Sequence, residues 1–107
     1  MARTILVQVA PQDLPHDSDA VEALWDRLEG WMEETLAPVG GECTGVDFSS
    51  EMTAMGEADD ADAAVEALKA ALPGADLPPV LIAVRTEDEE DDVVVWPQER
   101  AGEGLPG

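Results

Sequence analysis

Between Asp19 and Leu36 the chain reads DAVEALWDRLEGWMEETL, and Val21, Leu24, Trp25, Leu28, Met32 and Leu36 recur in it at steps of three and four. That spacing puts all six on one stripe of a helix. A helix of this kind is stable only when a second apolar surface covers the stripe, so the rest of the chain must supply one. Ser18 or Asp19 is predicted to cap the helix, with Glu22 three residues beyond Asp19 as in a capping box. Pro38, Gly40 and Gly41 end it, and Trp31 lies at the edge of the stripe.

The flanking segments read as strands. In RTILVQVAP, Ile5, Val7 and Val9 point to one face while Thr4, Leu6 and Gln8 point to the other, a period-two pattern that Pro11 stops. In ECTGVDFSSEMTAMG, Thr44, Val46 and Phe48 alternate with Cys43, Gly45 and Asp47, and Ser49-Ser50-Glu51 turns the chain toward Met52 to Gly56. A hairpin is predicted there. Asp60 or Asp62 then caps a second helix whose inner face is Ala64, Val65, Leu68 and Leu72, closed by Pro73-Gly74. Its small alanines favour close packing on a sheet. Val80 to Val84 form a nearly continuous apolar strand, and the VVVW stretch ending at Trp96 pairs with it across an acidic loop.

The order is strand, helix, strand pair, helix, strand, and one further strand. Two helices on one face of an antiparallel sheet is the α+β layering expected from it, in the ferredoxin-like split β-α-β-β-α-β form with an extra C-terminal hairpin strand. A chain of 107 residues suits one domain, able to bury roughly 65% of its unfolded surface. The domain is expected over 1–98, and the 99–107 tail, with no apolar residue before Leu105 but Ala101, is expected to be flexible.

Gly41, Glu42, Gly45 and Asp47, followed by Asp60, Ala61, Asp62 and Ala63, resemble a pattern in a group of small bacterial α/β proteins. There a G-E-x-x-G-x-[DE] hairpin precedes a strand and a D-A-D-A helix start. The likeness covers about a quarter of the chain; Ser49-Ser50 and the acidic extension depart from it. It implies the fold and carries no chemistry.

Charge narrows the function more than any motif. The chain holds 25 acids against five bases, Arg3, Arg27, Lys69, Arg85 and Arg100, for a formal net charge of −20. A field of that sign repels phosphate backbones and anionic membranes and attracts cationic partners. The opening segment is too short in apolar residues for a signal-peptide core or a membrane span, and a single cysteine, Cys43, allows no intramolecular disulfide. A cytoplasmic setting is expected.

Catalytic and ligand motifs are absent. His16, the only histidine, sits in DLPHDSD beside carboxylates, where solvation competes with any role as base or ligand. Without G-x-S-x-G or a second histidine, hydrolase triads are excluded, and there is no P-loop. The acid runs lack the glycine and alternation of a calcium loop. No cofactor, metal or catalytic residue is expected.

What stands out is the run Glu87, Asp88, Glu89, Glu90, Asp91, Asp92, placed on a hairpin tip where carboxylates are structurally harmless and also discourage edge-to-edge pairing. The expectation is a non-enzymatic protein-binding domain of the inhibitor, immunity or antitoxin kind, masking a basic surface on a nuclease or other DNA-binding protein, in one form as a DNA mimic. Those six acids would carry it, with Asp59, Asp60 and Asp62 in support and Trp96 as aromatic anchor, a role that competes with core packing for Trp96. The alternative is a housekeeping or accessory domain, as a homodimer in one form, whose acidity serves solubility.

Overall fold

In the computed structural model, residues 3–9, 13–48, 51–75, 77–78, 80–85, 92–96 and 102 are described. Strand β1 (Arg3–Val9) leads to helix α1 (Ser18–Leu36), the hairpin β2 (Glu42–Phe48) and β3 (Met52–Ala58), helix α2 (Ala61–Ala71), and the strands β4 (Val80–Arg85) and β5 (Asp92–Trp96). All neighbours in the sheet are antiparallel, in the order β2-β3-β1-β4-β5. The α+β class is as the sequence predicts.

The stripe of α1 is buried at Leu24, Leu28, Met32 and Leu36. It packs with Ala64, Val65 and Leu68 of α2 onto the sheet face carrying Ile5, Val7, Val9, Met52, Ala54, Val80 and Ile82. Each large side chain removed from water here contributes about 1.5–3 kcal/mol before entropy is counted. Gly56 of β3 makes the contact close. A Cβ on it would stand 2.6 Å from Leu36 Cδ1 and 3.0 Å from Met32 Cε, so the missing side chain is what lets the C-terminal half of α1 settle on the strand.

Local chemistry sets the helix ends. Asp17, one residue earlier than predicted, caps α1 by accepting a hydrogen bond from the Asp19 amide at 3.1 Å. At the other end Gly40 takes the left-handed conformation at φ 77°, and Gly41 donates its amide to the Leu36 carbonyl at 2.8 Å. Asp60 caps α2 through Ala63 N–H at 3.1 Å.

The sheet adds two features to the alternation read in the sequence: a shift of phase in β2 and burial of both faces of β1. First, the β2–β3 register shifts between Cys43 and Gly45. The resulting bulge turns Cys43 to the helix side together with Val46, whereas simple alternation separates them. Second, β1 is buried on both faces: Leu6 and Gln8, each 3% exposed, project away from the helices, beside the buried Leu81 and Ala83 of β4. Gln8 meets that burial by donating from Nε2 to Thr53 Oγ1 at 3.3 Å.

The acidic run from 87 to 91 falls between β4 and β5 and lies outside the described residues. So does the tail expected to be flexible, except for Gly102, whose amide donates to the Val94 carbonyl at 2.8 Å.

Candidate functional site

The exposed side of α1 carries an ordered charge pattern. Asp19, Glu22, Asp26, Glu29 and Glu33 follow one another at steps of three or four, and all five are exposed. At 3.6 residues per turn they fall within an arc of about 80° and run about 21 Å along the helix, directly beside the apolar stripe. Like charges at these spacings repel by about 0.2–0.5 kcal/mol per pair. The last turn of α1 adds Glu33 and Glu34 and holds no basic residue, although a helix C-terminus favours cations. The helix thus bears an arrangement that local energetics oppose and that a cationic surface would relieve.

The stripe runs along β2, which is an edge of the sheet. At its N-terminal end Glu22 and Asp26 join Ser18, Val21, Trp25 and Phe48 in lining an open groove of about 390 Å³. Phe48 is 40% exposed, the most solvent-facing large apolar side chain among the described residues. Further along, Glu29 and Glu33 lie close enough to act on Cys43 of β2. Burial pushes the Cys43 thiol above its ordinary range, the Gly45 backbone opposes this, and the two glutamates push it further up. Its Sγ lies 3.9 Å from the Gly45 carbonyl oxygen. A raised thiol pKa leaves little thiolate at neutral pH, which disfavours a nucleophilic role.

The described residues among those singled out from sequence are dispersed. Glu87, Asp88, Glu89, Glu90 and Asp91 lie outside the described residues; Asp92 opens β5 in register with Arg85. Trp96 ends the same strand opposite Ile82, half-buried and packed against the core. Asp59, Asp60 and Asp62 cluster at the start of α2, all exposed, with Asp60 engaged as the cap. His16 is exposed in the loop before α1. The sequence reading assigns Asp19 and Glu22 to the helix start and gives Asp26, Glu29 and Glu33 no role, because an unbroken acid run is the stronger local signal. Their signal, a three-four periodicity like that of the apolar stripe, is legible in the sequence.

Near Gly40 and Gly41 a second, smaller hollow of about 220 Å³ gathers Glu42, Glu57 and Asp59. Among the described residues no group of three or more histidine, cysteine or acidic side chains is disposed to hold a metal ion. Nor is any helix among them long and apolar enough to cross a membrane.

No family model matches the chain, and no curated protein or solved structure matches it either.

Proposed function

We propose that this chain is a non-enzymatic, acidic protein-binding domain that masks a basic surface on a partner protein, in the manner of an inhibitor, immunity protein or antitoxin. The observation that supports it most is the ordered stripe Asp19, Glu22, Asp26, Glu29 and Glu33, exposed along one side of α1 in a chain of net charge −20. Rigid rows of carboxylates speed encounter with a basic partner and fix its register through Lys and Arg contacts. Glu87 to Asp92, with Asp59, Asp60 and Asp62, add to the same net negative charge. A row of carboxylates facing a nuclease or other DNA-binding protein is also the form that mimicry of a phosphate backbone would take.

The fold reading that goes with this is a ferredoxin-like split β-α-β-β-α-β sandwich, supported by the run β2-β3-β1-β4 within the sheet, with β5 added beside β4. A cytoplasmic setting fits a domain with one unpaired cysteine.

The test is affinity capture with the full chain as bait, from a lysate of the organism that encodes it, at low and moderate salt. The expected result is one stoichiometric basic protein, released as salt rises, and lost when Glu22, Asp26, Glu29 and Glu33 are changed to Lys. If capture is unaltered by that reversal, and by reversal of Glu87, Asp88, Asp91 and Asp92, the charge is not used for recognition. The domain is then an accessory one whose acidity serves solubility.

A further inference from the structure

The open groove between the start of α1 and the end of β2 combines two kinds of lining. Val21, Trp25 and the exposed Phe48 supply apolar lining, and Glu22 and Asp26 supply acidic lining. Large aromatic side chains kept partly in water are what a binding surface needs at its centre. Among the described residues no basic side chain lines the groove, and the acids continue from it along α1 at Glu29 and Glu33.

Charge decides between occupants. A second copy of the chain would bring another −20 against the same groove, setting Glu22 and Asp26 against like charges. A basic segment of another protein would relieve the repulsion along the stripe and place an apolar side chain over Trp25 and Phe48. The groove volume, about 390 Å³, is at the small end of ligand-sized cavities, suited to one or two side chains rather than to a whole helix.

We propose that the Trp25–Phe48 groove is the anchor point for a basic protein segment that presents one apolar side chain flanked by Lys and Arg residues, which meet Glu22, Asp26 and the stripe beyond them. The proposal rests on the reading of the chain as an acidic binding domain and assigns that reading its central contact.

Two synthetic 11-residue peptides test it with the intact protein. Both carry ten Lys and Arg residues; the central residue is Phe in one and Ser in the other. Affinity is followed by amide and indole chemical shifts in 15N-labelled protein at physiological salt. The Phe peptide is expected to bind at least ten-fold more tightly than the Ser peptide, with the largest shifts at Val21, Phe48 and the Trp25 indole. Phe48→Ser, at an exposed position, should erase the difference between the peptides, and Glu22→Gln with Asp26→Asn should weaken both. The dispersion of each variant's spectrum reports that it is folded. Equal affinities for the two peptides, unaffected by Phe48→Ser, overturn the groove while leaving attraction for cations standing. Failure of both peptides to bind overturns the groove and the acidic-binding reading together.

Discussion

Glu42 on β2 and Glu57 on β3 stand directly opposite each other in the ladder, both exposed, with Asp59 beside them. Like charges in directly opposed positions destabilise a sheet, whereas opposite charges there contribute about 0.2–1 kcal/mol. Glu42→Lys converts one into the other on an edge strand, where lysine also discourages strand addition. The variant should unfold at a higher urea concentration than the parent with an unchanged m value. The gain should shrink in high salt, since both side chains are reached by screening ions. A midpoint at or below the parent's would show that the opposed carboxylates are held apart by their rotamers.

The same substitution should act in opposite directions at two glycines. Gly56 lies under α1, where a Cβ would meet Leu36 Cδ1 at 2.6 Å and the Glu42 carbonyl oxygen at 2.9 Å. Because one of those neighbours is backbone, Gly56→Ala should cost about 1–3 kcal/mol, the range for overpacking. Gly30 is an exposed residue in the middle of α1 with open space around its Cβ position. Gly30→Ala should therefore stabilise by about 0.5–1 kcal/mol through reduced backbone entropy in the unfolded chain. Urea titration of the two variants in parallel gives the sign of each.

This pair also shows where sequence reading succeeds and stops. The stripe of α1 is legible because its period is a property of consecutive residues, and burial of Leu24, Leu28, Met32 and Leu36 follows from it. The role of Gly56 is not, because it depends on a helix placed by residues twenty or more positions away. The Trp25–Phe48 groove has the same origin: each residue has a reasonable local reading, and only the packing of α1 beside β2 joins them. Alternation misjudged Cys43 because a bulge between Cys43 and Gly45 changes the phase of β2. The burial of Leu6 and Gln8 was hidden for a different reason: an antiparallel sheet with helices on one face commonly leaves the other to water.

Cys43 yields a pH prediction. Its thiol is raised in the folded state by burial first, with Glu29 and Glu33 adding to the effect. The folded protein therefore holds the thiol proton more tightly than the unfolded chain does. The associated stability is fully present below the unfolded thiol's pKa, roughly 8.5, and is lost as pH rises through the higher folded value. Alkylation by iodoacetamide should accordingly show its midpoint at higher pH in the native protein than in urea. Glu29→Gln with Glu33→Gln should move the native midpoint down without reaching the unfolded one, because burial, the larger cause, remains. A native midpoint at or below the urea value would contradict the placement of Cys43.

Asp60 separates an acid used by the fold from acids free to meet a partner. Its Oδ1 accepts from the Ala63 amide at 3.1 Å, and its carbonyl accepts from Ala64 N–H at 3.0 Å, so it anchors the first turn of α2. Asp60→Ala should lower stability by about 0.5–2 kcal/mol, the range for losing a helix cap, while Asp60→Asn keeps an accepting oxygen and should stay near the parent. The asparagine variant is then a clean probe of charge: it removes a carboxylate next to Asp59 and Asp62 without loosening α2. If the captured partner binds it as tightly as the parent, the Asp60 charge has no part in recognition. If binding falls while the urea midpoint holds, Asp60 serves the partner through its charge as well as the helix through its oxygen.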